Sequence, residues 1–535
     1  MIPLFPYEKA RKQQEVAMAF INDALIVNNK KFCIIEAGTG VGKSALGVYT
    51  ANLLNTQKTE KQKGTYFLTT QKILQDQYID DFSGEQKMLS LKSSSNYSCK
   101  YYKGATCGES LRLLRSAPKD SPFWRCCAIG CSYKKEKERF INGDKGVTNF
   151  SYFLAETVYA GKLKPRNLLV IDEAHNVANE LSKFIEVTIS ERFCRSQNIK
   201  FLEDLTQAKA YNWIENVYYP HIKSRLKHME SVLEKYAGLK EKIKEIQKVS
   251  TNFDLLDKHV CKVKRFIDRY EKDNWIFNLI PGEGRSLRKI EFKPIDVSKY
   301  AHEHLFDRAD KVLLMSATIL DKSAFCELLG IKANDCAFLS LPSPFPISNR
   351  PIITAGIGKM SAQYIDNTLP RLAKAIESII NEHKDEKGII HCHSYKIAHY
   401  LRKNIKRGKY RLIYHSSEDR DEALERHKGS DKPTILLSPS MTEGVDLRDD
   451  LSRFQIICKI PYPYLGDKLI RKKMNKWKWW YPLQTAKTII QSIGRSVRSK
   501  DDHATTYILD EDWDRFYRIN RQFFPEDFHE TINKN

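Results

Sequence analysis

Nine residues, Glu36-Ala37-Gly38-Thr39-Gly40-Val41-Gly42-Lys43-Ser44, have the types and spacing of a phosphate-binding loop. Glycines let backbone N–H groups turn toward phosphate oxygens, Lys43 can reach β- and γ-phosphates, and the Ser44 hydroxyl can ligate Mg2+. Ala37 stands where the strict pattern has glycine. The chemistry implied is nucleoside triphosphate binding, with Ala37, Gly38, Thr39, Gly40, Val41, Gly42, Lys43 and Ser44 around the phosphates. A second group, Asp172-Glu173-Ala174-His175, supplies two adjacent carboxylates. Asp172 can hold Mg2+ with Ser44, and Glu173 can activate the attacking water.

These groups need rigid carriers. Phe32-Cys33-Ile34-Ile35 reads as a buried parallel strand feeding the loop, and Ala45 to Leu54 is helix-compatible behind it. Asn167-Leu168-Leu169-Val170-Ile171 reads as a second buried strand ending at Asp172. Carboxylates at the carboxyl ends of parallel strands face the ligand crevice of a doubly wound sheet. Tyr66-Phe67-Leu68 and Val312-Leu313-Leu314-Met315 read as further strands. Towards the C-terminus, Gly388 to Cys392, Thr434 to Leu437 and Phe454 to Cys458 alternate with helical patterns, which predicts a second parallel α/β domain.

Five of the twelve cysteines, Cys99, Cys107, Cys126, Cys127 and Cys131, fall within 33 residues. Clustered thiols in a reducing compartment read as a metal site rather than disulfides. The lack of a Cys-x-x-Cys pair speaks against zinc, whereas iron–sulfur clusters tolerate irregular spacing. A vestigial insert without metal is the other alternative. His391-Cys392-His393 reads as structural.

The 535 residues suffice for three or four domains, and 41% hydrophobic content is that of a globular chain. No 18-residue apolar run occurs and the N-terminus has no secretory signal, so no membrane partner is expected. The net charge of +22, from 88 Lys+Arg against 66 Asp+Glu, favours a polyanion, nucleic acid above all.

The loop and the Asp-Glu-Ala-His tetrad together resemble a superfamily 2 helicase. Several C-terminal segments narrow the resemblance to the XPD/DinG type. Ser316-Ala317-Thr318 is similar to the coupling motif, and Leu341-Pro342-Ser343-Pro344-Phe345-Pro346 with Asn349-Arg350 to the family's Ser-Pro-Phe segment. Ser438 to Leu447, containing Glu443 and Asp446, is similar to the fifth motif, with Ile460-Pro461-Tyr462-Pro463 after it. Gln491-Ser492-Ile493-Gly494-Arg495-Ser496-Val497-Arg498 is similar to the sixth. The resemblance runs from about Arg11 to about Trp513 and is weak over 180–285.

It implies an α/β fold of two RecA-like parallel-sheet motor domains, the first carrying an iron–sulfur insert and a helical arch-like insert. The division it implies is 1–98, 136–180 and 286–340 for the first motor domain, 99–135 for the iron–sulfur insert, 181–285 for the arch-like insert and 341–535 for the second motor domain. It implies a [4Fe–4S] cluster on Cys99, Cys107, Cys126 and Cys131, with Cys127 able to displace Cys126. Gln14 is implied at the adenine, Gln491, Arg495 and Arg498 at the phosphates from the second domain, and Glu443 and Asp446 in coupling nucleotide to DNA. Thr69-Thr70-Gln71 resembles a DNA-backbone contact. Tyr152 stacks on a base or sits in the core.

The activity implied is ATP- and Mg2+-dependent DNA unwinding with 5′→3′ movement on single-stranded DNA. Duplex, forked or DNA–RNA hybrid substrates, action in repair, replication or recombination, a monomer and a cytoplasmic, nucleoid-associated location go with it; a phage origin would place it in host cytoplasm. The competing reading is an ATP-driven translocase or remodeller without robust unwinding, accessory to a CRISPR or phage system. Two features stay open on residues alone. Lysines around the helical face Leu233, Tyr236, Leu239, Ile243 and Ile246 line a single-strand channel or are simply solvated. The patch Lys473 to Tyr481, with three tryptophans, stacks on bases or packs under the second domain.

Overall fold

The computed structural model describes residues 4–38, 40–57, 61–70, 72–101, 106–108, 110, 114, 117–159, 161–203, 206–236, 243–282, 287–416, 418–441 and 447–533. Strands are numbered in chain order. Among the described residues, seven form a parallel sheet in the order β10 (Cys336–Leu341), β1 (Phe32–Ala37), β9 (Ala309–Ser316), β5 (Arg166–Ile171), β2 (Gln62–Thr69), β4 (Lys145–Asn149) and β3 (Leu89–Ser90). β1 and β5 are buried along their whole length, as continuous apolar runs in a doubly covered parallel sheet should be. Helices cover both faces. The helix Lys43–Asn55 buries eight residues against one face, and Phe150, Phe153 and Leu181 pack on the other.

Register aligns the chemistry. Glu36 pairs with Ser316, and Ile171 pairs with Leu68 and Leu314. The carboxyl ends of β1, β5 and β9 therefore lie side by side, and each is followed by a polar segment.

A second parallel sheet runs β13 (Leu412–Tyr414), β14 (Ile435–Ser438), β12 (Gly388–His391), β15 (Phe454–Ile457), β16 (Thr505–Ile508), β11 (Ile352–Thr354) and β17 (Ile532–Asn533). The two sheets give two RecA-like α/β domains.

The region after Asp172 differs from a purely helical insertion. β6 (Val187–Ser190), β8 (Lys289–Pro294) and β7 (Trp275–Ile280) form an antiparallel sheet under the long helices Tyr219–Tyr236 and Ile243–Asp268. β8 alternates buried and exposed positions, and Phe292 on it packs with Phe266 of the second long helix. This sheet carries the inserted unit past residue 285. Leu239 lies outside the described residues, and the side chains of Tyr236, Ile243 and Ile246 are likewise outside them.

The tryptophan patch packs. Trp477 is 4% exposed and sits with Ile276 and Ile295. Its indole N–H donates to Glu327 Oε1 at 2.8 Å, and that of Trp479 to Glu327 Oε2 at 3.2 Å. Lys476 pairs with Asp296 at 2.5 Å. The second domain is thus clasped to the first and to the inserted sheet.

Candidate ATP site and cysteine insert

The phosphate loop turns into its helix through Gly42, whose left-handed backbone (φ +84°) suits glycine. A Cβ there would stand 2.5 Å from Gln14 Nε2. Gln14 is buried, and its Oε1 accepts the Arg11 backbone N–H at 2.9 Å. In this structure Gln14 therefore props the loop. The Arg11 guanidinium donates to the Gly40 carbonyl. Phe345, from the Ser-Pro-Phe segment, lies against Gly40 and packs with Val497. Lys43 Nζ donates to the Ala37 carbonyl at 3.0 Å, and Ala37 and Val41 are buried.

Asp172 is buried. Its Oδ2 accepts the Tyr78 hydroxyl at 3.2 Å and its Oδ1 accepts the Glu173 N–H at 2.9 Å. Burial, then the neighbouring Glu173 charge, pushes its carboxyl up to about 6, against Lys43. Burial also acts to raise Glu173, but His175, Lys43 and Arg495 outweigh it and hold that carboxyl at about 2. Glu173 keeps 31% of its side chain open and sits at φ +51°, a strained left-handed conformation for a residue with a Cβ. An ionised carboxylate with access to water is what a general base requires.

His175 joins the two domains. Its Nδ1 meets Ser316 Oγ at 2.7 Å and Glu173 Oε2 at 3.2 Å. Its Nε2 meets Gln491 Nε2 at 3.0 Å, and Lys487 Nζ donates to its carbonyl at 3.1 Å. With the Gln491 amide donating, the ring proton belongs on Nδ1. Gln491 also donates to Thr318 Oγ1 at 3.4 Å. Arg495 Nε donates to the Gln491 carbonyl at 2.9 Å, so the arginine's charge reaches Glu173 from the second domain. The Arg498 backbone N–H donates to Asp502 Oδ2, and its carbonyl approaches Gly40. Thr39, Gln71, Glu443 and Asp446 lie outside the described residues. His175 and Tyr78 were not singled out from sequence as site residues; the Asp-Glu-Ala-His tetrad was the available signal for the first, and nothing local marks the second.

In the insert, Cys131 Sγ lies 3.8 Å from Cys107 Sγ, and the Cys107 thiol reaches the Ser98 carbonyl at 3.3 Å. Cys127 is buried and hydrogen-bonded to Cys99. Burial, then Cys99, Cys126 and Cys131, push its thiol up to about 12; burial chiefly, with Cys131 and Cys99 adding, takes Cys107 to about 11. Cys99, Cys107, Cys127 and Cys131 thus face one another, while Cys126 is half-buried one position along the helix Pro122–Ile129. No group of three or more His, Cys, Asp or Glu among the described residues forms a ready-made metal site. The donor set, thiols in two close pairs, has the chemistry that a soft metal centre takes.

Tyr152 is a core residue. It is 8% exposed and its hydroxyl lies 2.7 Å from that of Tyr133. Thr69 is buried and Thr70 half-buried at the end of β2. A cavity of about 360 Å3 between the first motor domain and the long helix Ile243–Asp268 is lined by Tyr159, Phe184, Lys183, Lys258 and Lys262. No helix among the described residues is long and apolar enough to cross a membrane.

One RecA-like domain carries the phosphate loop and the paired carboxylates, and the other brings Gln491 and Arg495 against them. The helicase C-terminal domain family matches residues 376–530, and the family of the type III restriction enzyme res subunit matches 7–208. The chain is 29% identical over 259 residues to the ATP-dependent DNA helicase DinG of Photobacterium profundum, covering 44% of this chain and 36% of that one. It spans about a third of that relative's length in this match. It is 22% identical to the ATP-dependent DNA helicase YoaA of Haemophilus influenzae over 90% of this chain and 88% of that one. A solved XPD helicase superposes with a TM-score of 0.63 at 17% identity, covering 97% of this chain and 98% of that one. The chain is thus similar in sequence to ATP-dependent DNA helicases of the DinG and YoaA kind and shares the fold of a solved XPD helicase.

Proposed function

We propose that the protein is an ATP-dependent DNA helicase that moves 5′→3′ along single-stranded DNA and separates duplex DNA or DNA–RNA hybrids. One observation carries the reading: His175 links the water-activating Glu173, the Ser316–Thr318 segment and Gln491 of the second domain. Nucleotide state and domain position are thereby coupled, as a motor needs.

ATP lies in the cleft, with Gly38 to Ser44 around its phosphates. Water beside Glu173 gives up a proton to that carboxylate as its oxygen bonds to the γ-phosphorus. The bond from that phosphorus to the bridging oxygen breaks, releasing ADP and inorganic phosphate. Lys43, Arg495 and Arg498 balance the charge that develops on the phosphoryl oxygens, an arginine from the second domain acting as finger. Mg2+, held by Ser44 and Asp172, would add electrostatic stabilisation at the β- and γ-oxygens. Closure and reopening of the cleft alternate the grip of the two domains on the strand, mainly through phosphates and independently of sequence. The +22 charge and the lysines Lys183, Lys258 and Lys262 support a strand path over the first motor domain.

The clustered thiols of the insert support a [4Fe–4S] cluster, with Cys99, Cys107 and Cys131 as ligands and the fourth from the helix Pro122–Ile129. There the buried Cys127, hydrogen-bonded to Cys99, is favoured over Cys126. Such a cluster would pin chain segments far apart in sequence to one point. The family resemblance supports the polarity, a monomer and a cytoplasmic, nucleoid-associated location.

The test is ATP hydrolysis with and without single-stranded DNA. The wild type is expected to be stimulated by DNA, and Glu173→Gln to lose roughly 10²–10⁴-fold in rate while still binding nucleotide. An unstimulated wild type would overturn the reading.

A further inference from the structure

Tyr78 belongs to no motif, yet it is 3% exposed at the centre of the ATP site. The helix Lys72–Phe82 carries it, and its ring is wedged between Phe67 (centroids 5.5 Å) and Phe82 (6.0 Å). Its hydroxyl donates to Asp172 Oδ2 at 3.2 Å and is hydrogen-bonded to the Ser44 side chain. A phenol has one proton to give. Given to Asp172, it leaves the phenol oxygen to accept the Ser44 proton.

We propose that Tyr78 is a positioning residue of the magnesium site, relaying a hydrogen bond from Ser44 to Asp172 so that the Ser44 lone pairs and the Asp172 carboxylate are turned toward the cation. This rests on the ATP reading above. A serine that ligates Mg2+ must send its proton away from the metal, and an aspartate ligand must be held against rotation; one phenol does both. The helix that carries it starts beside Thr69 and Thr70, and its first residue, Lys72, donates to Asn96 Oδ1 at 3.1 Å on the flank of the cysteine insert.

The experiment titrates Mg2+ against the binding of a fluorescent ATP analogue to full-length protein, comparing wild type, Tyr78→Phe, Ser44→Ala and the double variant. Tyr78→Phe keeps the ring packing, and nucleotide binding in EDTA reports whether the site is folded. The Mg2+ concentration for half-maximal binding is expected to rise roughly three- to tenfold in Tyr78→Phe, the share of about one net hydrogen bond. Affinity in EDTA is expected to be unchanged. In the Ser44→Ala background the Tyr78 change is expected to add little. An unchanged Mg2+ requirement, or an equal loss in EDTA, overturns the relay. A wild type whose nucleotide binding ignores Mg2+ overturns the ATP reading instead.

Discussion

The His175 ring and the Gln491 amide meet at 3.0 Å, across the boundary between the two RecA-like domains. His175 also touches Ser316 and Glu173, so any movement of the second domain reaches the Glu173 carboxylate, the proposed water activator, through one imidazole. Replacing Gln491 with alanine is expected to leave nucleotide affinity within about twofold while removing roughly 5- to 150-fold of the DNA stimulation of hydrolysis, the size of a typical coupling energy. His175→Ala is expected to match it, and the double variant to be no worse. Additive losses would mean that the two act separately.

Asp172 sets a pH limit. Its carboxyl is pushed up to about 6 by burial and by Glu173, and a protonated carboxyl is a poor ligand for Mg2+. The Mg2+ needed for half-maximal hydrolysis should rise about tenfold per pH unit below 6 and level off above 7. Glu173, held at about 2, adds no limb in that range. The raised value acts on stability as well. It favours the nucleotide-free fold at pH below the unfolded value, near 4, and that contribution is lost as pH rises through about 6. Asp172→Asn is therefore expected to raise the melting temperature of nucleotide-free protein at pH 8 while abolishing magnesium-dependent hydrolysis.

Trp477 is a structural anchor. It is buried and bonded to Glu327, so Trp477→Ala is expected to cost about 3–5 kcal/mol of local stability. Single-stranded DNA affinity at fixed salt should stay within about twofold, because a buried anchor offers no stacking surface to a base. Weakened DNA binding at an unchanged melting temperature would restore the stacking role.

In the cysteine insert, serine replacements separate neighbouring thiols. Cys99→Ser, Cys107→Ser, Cys127→Ser and Cys131→Ser are each expected to lose iron, sulfide and the visible absorbance of anaerobically purified protein. Cys126→Ser is expected to keep them. The reverse result for Cys126 and Cys127 would assign the ligand to the exposed side of that helix.

The parts legible in sequence were those written locally. The glycines and Lys43 of the phosphate loop, the apolar strand ending at Asp172 and the strands at 388–392, 434–437 and 454–458 each announce themselves within a dozen residues, because buried parallel strands are continuous apolar runs. What depends on distant chain was not legible. Tyr78 lies 94 positions before its partner Asp172, and no period or motif marks it. The inserted sheet pairs β6 with β8 across some hundred residues of helix. Trp477 reads equally well as a base-stacking or a packing residue until Glu327 is placed beside it. Cys126 and Cys127 are adjacent in sequence and differ only in the helix face they occupy.

The most direct test of the account is ATP-driven separation of duplexes carrying a single 5′ or 3′ tail by the full-length protein, with Glu173→Gln as control. Unwinding of the 5′-tailed duplex alone, lost in the control, is the predicted result. Hydrolysis stimulated by DNA without separation of either duplex would contradict it and leave a translocase that remodels bound protein or RNA.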